Sequence, residues 1–126
     1  MTVIDMYRDF REQFPRLSGK ADARHIKVWD SINDETAFCW FESLAGAIND
    51  QMTTGPQTTE LTSVFSYFAG QYSTGDEDVN RCIDASFVEN LFWEVPKGSA
   101  ITAWALLPKP MQQLYINFHG HAPDLK

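Results

Sequence analysis

The chain has 126 residues, of which 44% are hydrophobic, 13% aromatic and 21% charged, values typical of one folded domain and unlike those of disordered or fibrous chains. Its net charge of −7 is uneven: residues 1–33 hold 6 basic and 5 acidic residues (+1), residues 34–96 hold 1 and 11 (−10), and residues 97–126 hold 3 and 1 (+2). The middle segment has Arg81 as its single cation. This scarcity of positive charge disfavours direct nucleic-acid binding, because proteins neutralise phosphates with clustered lysines and arginines.

The first 32 residues predict a helix followed by a less certain element. A first helix carries an apolar stripe with spacings of three and four, and Pro15 is expected to end it. The stripe consists of Val3, Tyr7, Phe10, Phe14 and Leu17. Residues 22–32 have both a helical spacing of Ile26, Trp29 and Ile32 and a strand-like alternation from Ile26 to Val28. We favour the helix.

Two longer helices are predicted between residues 33 and 72. Asn33 or Asp34 can cap the first of them, which runs to about Met52. Its buried residues are expected to be Phe38, Trp40, Phe41, Leu44, Ala45, Ile48 and Met52. The turn residues 53–56 separate this helix from one over about residues 57–72. Its apolar stripe consists of Leu61, Val64, Phe65, Phe68 and Tyr72.

A further helix, from residue 77 to about residue 93, is the expected centre of the bundle. Residues 74–77 match a capping box, in which the Thr74 hydroxyl accepts the N–H of Glu77 while the Glu77 side chain reaches back. Towards its end the helix is apolar almost all round, which is typical of a central helix. Its apolar residues are Val79, Cys82, Ile83, Phe87, Val88, Leu91, Phe92 and Trp93.

Two short helices complete the chain. Pro96 and Gly98 end the preceding helix, and Ser99 can cap the next, whose apolar residues are Ile101, Trp104 and Ala105. Pro108 or Pro110 begins the last helix, which carries Met111, Leu114, Tyr115 and Phe118. Because strand signals are nearly absent, the sequence predicts an all-α fold, a single-domain bundle of five to seven helices over residues 1–126.

Several polar and aromatic residues allow a structural and a functional interpretation. The four tryptophans, Trp29, Trp40, Trp93 and Trp104, lie on or beside apolar stripes, so we expect them in the core and not in a carbohydrate site. Glu89 and Asn90 interrupt an apolar run. We favour hydrogen bonds inside the bundle for both, over an exposed face that contacts a partner, because the apolar width leaves little exposed arc.

The residue patterns favour no enzyme, cofactor or metal site. His119, His121 and Asp124 resemble a metal site only loosely, since Gly120 is typical of a helix end and a histidine in the last turn favours the helix dipole. Cys39 and Cys82 lie in apolar helical patterns and are expected to be reduced, structural thiols of low reactivity. Glycine-rich phosphate loops and the motifs of serine and zinc hydrolases are absent from the sequence. We therefore expect no catalytic, cofactor-binding or metal-binding residue.

The N-terminus and the hydropathy predict a location. Acidic residues stand where a secretory signal peptide needs a basic and then an apolar region, and no run of 18 apolar residues exists. We expect a cytoplasmic protein without a membrane partner.

The acidic middle segment supplies the candidate partner-binding residues, Asp50, Glu60, Asp76, Glu77, Asp78 and Asp84. One interpretation is solubility alone. The other is a negative surface that attracts a basic partner. Single exposed ion pairs contribute only about 0.2–1 kcal/mol, but a concentrated field raises association rates.

Motifs over residues 60–120 resemble those of a known group of proteins. They read Leu-x-x-Val-Phe-x-Tyr-Phe from Leu61, Ser-Thr-Gly-Asp-Glu-Asp-Val from Ser73, Phe-Val-Glu-Asn-Leu from Phe87, then Leu107-Pro and Leu114-Tyr. Together they resemble small acidic helical bacterial proteins that are often encoded beside polymorphic toxins of the rearrangement-hotspot type. The resemblance implies a cognate immunity protein, which neutralises a toxin domain of basic surface by covering its active site or substrate groove. It implies no catalytic residue.

The charge also supports an alternative function. A phage-type inhibitor would use an acidic surface to mimic nucleic acid and block a host defence nuclease. A toxin gene beside this one would favour the immunity protein, and a phage early region would favour the mimic.

Overall fold

The computed structural model describes residues 1–55 and 58–123, which form seven α-helices and no strand. The helices are α1 (Val3–Gln13), α2 (Pro15–Trp29), α3 (Ala37–Thr54), α4 (Thr58–Thr74), α5 (Glu77–Arg81), α6 (Lys97–Leu106) and α7 (Lys109–His119). A 3-10 turn (Asp34–Thr36) precedes α3, and a π-helical turn (Cys82–Phe87) and a 3-10 turn (Val88–Asn90) continue α5. This confirms the predicted single all-α domain of five to seven helices. The predicted helix start at residue 57 and the candidate metal ligand Asp124 lie outside the described residues.

Pro15 ends the first helix as predicted, but the second helix begins there and not near residue 22, so Leu17 belongs to α2. α1 begins with a capping box, since the Thr2 side chain accepts the Asp5 N–H at 3.1 Å and the Asp5 carboxylate accepts the Thr2 N–H at 3.0 Å. Pro15 lies in the first turn of α2, where its missing N–H leaves no bond unmade. The ambiguous segment 22–32 is therefore helical as far as Trp29, and Asp30 ends α2 in the left-handed conformation with φ 61°.

The central helix is α3, and the prediction that residues 77–93 form one central helix is wrong. α3 packs against α1, α2, α6 and the π turn and is buried around most of its circumference. Its buried residues are Ala37, Trp40, Phe41, Leu44, Ala45, Ala47, Ile48, Asn49, Gln51 and Met52. The segment from residue 77 changes its helical type twice and leaves the helix at Leu91, whose ψ is 150°. Its apolar residues from Val79 to Phe92 are nevertheless buried against α3 and its neighbours.

Aromatic rings connect these elements at the centre of the core. The Phe10 ring of α1 lies 5.9 Å from the Trp40 ring and 5.4 Å from the Phe68 ring, measured between centroids. Phe68 in turn stacks on Phe87 of the π turn at 4.1 Å. Such contacts add to the burial of apolar area, which is the main stabilising contribution. They fix α1, α3, α4 and the π turn relative to one another.

Several caps differ from the sequence prediction. Asp76, and not Thr74, caps α5, because its carboxylate accepts the Val79 N–H at 2.8 Å while the Thr74 hydroxyl donates to Gly70 O at the end of α4. Ser99 lies inside α6, which begins after Pro96 without a side-chain cap.

Three other end signals agree with the structure. Asn33 accepts the Thr36 N–H at 3.2 Å, Pro108 precedes α7, and Gly120 ends α7 with φ 81°. Asn33 therefore caps the 3-10 turn that precedes α3.

Some apolar residues that the spacing assigns to buried stripes are exposed. They are Ile26, Trp29, Phe38, Trp93, Ile101 and Phe118. In α2 the helix turns a different face to the core, made by Leu17, Ser18, Ala21 and His25, because small residues permit close packing against α3.

Candidate functional site

The most conspicuous surface feature is Trp93, whose side chain is 74% exposed. Of the four tryptophans that were expected in the core, Trp40 is fully buried and Trp104 is partly buried. Trp29 is 45% exposed, so the core assignment is wrong for Trp29 and Trp93. A large exposed indole is unusual, and tryptophan is among the residues that contribute most to protein interfaces.

The backbone around Trp93 is held in an unfavourable conformation. We call residues 91–95 the Trp93 loop. Phe92 and Glu94, on either side of Trp93, are both left-handed, with φ 69° and 57°. This conformation costs a residue other than glycine about 1–2 kcal/mol. Strain of this kind persists only where the surroundings enforce it, and it concentrates at functional sites.

A buried asparagine on α3 enforces this conformation. Asn49 Oδ1 accepts the Phe92 N–H at 2.8 Å, and Asn49 Nδ2 donates to the Asn90 carbonyl at 2.8 Å. The Phe92 ring then packs edge-on against Trp104 and Tyr115, with centroids 5.7 and 5.6 Å apart. Phe92 therefore points into the core, and the next residue, Trp93, is directed outwards.

The segment before the loop is fixed as well. Asn90 Nδ2 donates to the Ser86 carbonyl at 2.8 Å, within its own segment. His119 Nε2 lies 3.0 Å from the Glu89 carbonyl oxygen, and its ring stacks on Tyr115 at 4.0 Å. The Glu89 side chain is half-buried, and this burial, with Asp84 nearby, raises its pKa above the ordinary value.

Trp93 borders a groove of about 500 Å³, which we call the Trp93 groove. Its floor is one face of α3, at residues spaced by about one helical turn, of which Glu42, Asp50 and Thr53 are exposed and Asn49 is buried. Its lining consists of Arg24 from α2, Glu42, Gly46, Asn49, Asp50 and Thr53 from α3, and Asn90, Trp93 and Glu94 from the following segment. The loop thus places an indole beside an otherwise polar groove.

Arg24 is held against one wall of this groove. Its Nη1 donates to Asp50 Oδ2 at 2.8 Å, and its guanidinium lies where a Cβ on Gly46 would be, since such an atom would come within 2.4 Å of Arg24 Nε. Glycine at position 46 is therefore required for this close approach. Arg24 forms an ion pair with Asp50. Among the ion pairs between described residues, none includes Glu42 or Glu94.

A second groove, of about 390 Å³, continues from the first and shares Arg24 and Glu42 with it; we call it the Trp29 groove. It exposes apolar surface at Val28 and Trp29. The Trp29 ring stacks on the ring of the buried His25, with the two centroids 6.1 Å apart. The two grooves therefore adjoin one another across α2 and α3, and each groove has an exposed tryptophan, Trp29 in one and Trp93 in the other.

The structure distributes the acidic candidate residues over separate places. Asp50 pairs with Arg24 in the Trp93 groove, and Glu60, near the start of α4, pairs with Arg16. At 1.5 Å per residue, about 21 Å of helix axis separates Glu60 from the end of α4, where Asp76 follows. These carboxylates therefore do not lie together.

Of the remaining acidic candidates, Asp76, Glu77 and Asp78 follow that far end, and Asp84 lies in the π turn. Asp76 caps α5, and Glu77 and Asp78 lie 3.9 and 3.8 Å from Arg81. Asp84 in the π turn is partly buried, which raises its pKa. Of the six acidic candidates, Asp50 lines the Trp93 groove. Trp93 itself was not predicted as a site residue, because its helical spacing assigned it to the core.

The thiols, as expected, are not joined in a disulfide. Cys82 is buried, and burial raises its pKa to about 12, while Cys39 is half-buried in the Trp29 groove with its pKa also raised by burial. Neither thiol has the depressed pKa of a nucleophile.

The described part of the chain has neither a metal-binding cluster nor a membrane-spanning helix. There, no three His, Cys, Asp or Glu side chains are grouped so as to hold a metal ion. His119 contacts the backbone before the Trp93 loop, and His121 Nδ1 lies 2.5 Å from the Ala122 carbonyl oxygen. Within residues 1–55 and 58–123, no helix has the length and apolar character needed to cross a bilayer.

Comparison with known proteins gives a family match. The family model described as Domain of unknown function (DUF7674) matches residues 7–121, which include all seven helices except the first residues of α1 and all of both grooves. No curated protein and no solved structure matches the chain.

Proposed function

The chain belongs to the DUF7674 family, and we propose that this member is an immunity protein that binds a bacterial toxin domain and neutralises it by covering its active site or substrate groove. The observation that carries the proposal is the exposure of Trp93 on a loop that Asn49 fixes at the expense of two left-handed residues. An aromatic side chain on a fixed backbone loses less entropy when a partner covers it than one on a mobile loop. That is the arrangement expected of an interface anchor.

A protein partner would cover both grooves together with the surface around them. A standard interface takes about 800 Å² from each partner, roughly an eighth of the 6643 Å² surface of this chain. The Trp93 and Trp29 grooves provide two exposed indoles and apolar area at Val28, with Arg24 and Glu42 shared between the grooves. Aromatic residues and arginine are enriched at protein interfaces relative to the rest of a protein surface.

The resemblance to immunity proteins over residues 60–120 supports the same proposal, since it includes the segment that carries the loop. The negative charge of residues 34–96 would accelerate the capture of a basic toxin domain. We place the principal contacts at the Trp93 groove, with Asp50 among them, and give the other five acidic candidates a role in long-range attraction.

The alternative, a nucleic-acid mimic that blocks a nuclease, is less well supported. A mimic needs carboxylates that repeat along one surface as phosphates do along a strand. Here Asp50 and Glu60 are neutralised by arginines, and Asp76 is occupied as a helix cap. The negative charge is therefore distributed over separate places, whereas a mimic would need one continuous row of carboxylates.

The test uses the purified toxin domain encoded by the neighbouring gene, mixed with this protein and analysed by calorimetry. Trp93→Ala is expected to weaken binding at least about thirtyfold, which corresponds to about 2 kcal/mol, and to abolish protection of cells that express the toxin. Phe118→Ala is the matched control, because Phe118 is another exposed aromatic, on α7 and outside both grooves. A toxin domain that forms no complex with the wild-type chain would refute the proposal.

A further inference from the structure

We infer that the Trp93 groove receives an arginine side chain of the partner protein, an inference that rests on the proposed function and specifies the chemistry of its contact. The groove contains four charged side chains, Arg24, Glu42, Asp50 and Glu94. Arg24 is paired with Asp50 at 2.8 Å, so the two glutamates remain without a cation among the ion pairs of the described residues.

The position of Arg24 keeps this chain from neutralising its own groove. Its guanidinium lies over Gly46 and is turned to Asp50. A longer residue at position 46 would push the guanidinium away from that wall. The groove thus keeps two carboxylates, Glu42 and Glu94, available to a cation from outside.

The indole of Trp93 determines the kind of cation. A cation is attracted to the face of an aromatic ring, most strongly to tryptophan, and a planar guanidinium both stacks on an indole and donates to carboxylates. An arginine side chain in this groove would find the indole of Trp93 and the carboxylates of Glu42 and Glu94 among the groups that line it. The compact ammonium of lysine binds a carboxylate without matching the indole face as well.

Other occupants fit the groove less well. An acidic side chain would be repelled by Glu42 and Glu94. An apolar side chain would remove these carboxylates from water without pairing them, which is costly. Charge complementarity therefore selects a basic side chain, consistent with a toxin domain of basic surface.

The experiment uses the tripeptide acetyl-Gly-Arg-Gly-amide as a probe of the isolated groove. The readout is the indole N–H cross-peak of Trp93 in a ¹⁵N-labelled sample, assigned by its loss in Trp93→Phe. We expect a saturable shift at millimolar peptide, and at least tenfold weaker binding of the citrulline analogue, which has the same shape without the charge. Equal shifts with both peptides would overturn the inference.

A charge-matched pair of variants locates the site. Glu42→Gln with Glu94→Gln should weaken peptide binding about tenfold, whereas Glu77→Gln with Asp78→Asn, which removes the same charge from exposed residues elsewhere, should change it less than twofold. Equal losses in both variants would show general attraction and contradict the inference.

The same variants separate this inference from the proposed function. If the toxin domain binds and Glu42→Gln with Glu94→Gln leaves its affinity unchanged, the arginine site is refuted while the immunity function stands. If no toxin complex forms but the peptide result holds, the proposed function is refuted and the arginine-binding groove stands.

Discussion

Asn49 and Phe92 are 43 residues apart in the chain, and a hydrogen bond of 2.8 Å from the Phe92 N–H to Asn49 Oδ1 connects them in the interior. Asn49 also donates to the Asn90 carbonyl, so one buried amide satisfies two backbone groups of the segment that leads into the Trp93 loop. The exposed position of Trp93 is thus determined by a residue on the central helix.

Asn49→Ala should destabilise the protein by about 3 kcal/mol, because it leaves a buried N–H and a carbonyl unpaired, each at a cost of about 1–3 kcal/mol. Urea denaturation measures the change. Asn117→Ala is the control, since Asn117 is exposed on α7 and bonds only to Gln113 among the contacts described, and it should stay within about 0.5 kcal/mol of wild type. A similar loss in both variants would contradict the anchoring role of Asn49.

The contact between Asn49 and the Trp93 loop also shows what the sequence could not predict. Residues 77–93 have helical apolar spacing, and most of their apolar side chains are indeed buried, so the pattern predicted burial correctly. Local spacing gives no information about an amide that arrives from residue 49 and favours a left-handed Phe92 over a continued helix. Trp93 was assigned to the core for that reason.

The bundle itself follows from local patterns far better than the site does. The apolar spacing in α3, α4 and α7 predicted these helices within a few residues, and Pro108 and Gly120 mark the two ends of α7. In α2 the spacing of Ile26 and Trp29 predicted the wrong buried face. The face that packs against α3 contains Ser18, Ala21 and His25. A search for large apolar residues does not find a face made of small and polar ones.

Asp22→Asn should destabilise the protein by about 2 kcal/mol at pH 7. Asp22 accepts two bonds from Arg11, at 2.5 and 2.9 Å, and one from the Trp40 indole at 2.8 Å, and hydrogen bonds to a charged group contribute about 1.5–3 kcal/mol. The matched control is Asp78→Asn, whose exposed pair with Arg81 should contribute less than about 0.5 kcal/mol.

The effect of Asp22→Asn should depend on pH in a defined direction. Burial raises the pKa of Asp22, but the bonds from Arg11 and Trp40 more than offset this, so the folded-state pKa lies below the ordinary value of 3.8. A depressed carboxyl pKa contributes stability above the unfolded value, and this contribution is lost as pH falls through the folded value. The difference between wild type and variant should therefore be constant above about pH 5 and narrow below 3.8. A constant difference down to pH 2.5 would contradict this assignment.

The Cys82 thiol should react only when the protein unfolds. Burial raises its pKa to about 12, so its thiolate fraction at pH 8 is about one in ten thousand, roughly a thousandfold below that of a free cysteine. Cys39→Ser leaves Cys82 as the single thiol and makes the measurement direct. The variant should react with Ellman's reagent at pH 8 at least a hundredfold faster in 6 M guanidinium chloride than in native buffer. Rates within tenfold of each other would show that Cys82 is accessible.

Gly46→Ala tests whether the Arg24 guanidinium lies over residue 46 in the Trp93 groove. Alanine is favoured over glycine inside a helix by about 1 kcal/mol, but its Cβ would lie 2.4 Å from Arg24 Nε, so the guanidinium must move from its bond with Asp50. The Arg24 side chain is half-exposed and can swing away, and an exposed ion pair contributes about 0–1 kcal/mol. The two effects are opposed, so we expect a net stabilisation clearly smaller than the full helix-propensity gain of about 1 kcal/mol, measured by urea denaturation.

A double-mutant cycle separates the two contributions to the effect of Gly46→Ala. In an Arg24→Ala background there is no guanidinium to displace, so Gly46→Ala should give the full helix-propensity gain of about 1 kcal/mol. In the wild-type background the displaced guanidinium remains beside Glu42 and Glu94 and should compete with a cation from the partner, which weakens arginine-peptide binding severalfold. An identical gain in stability in both backgrounds, with unchanged peptide affinity, would mean that Arg24 is not held over Gly46 in solution.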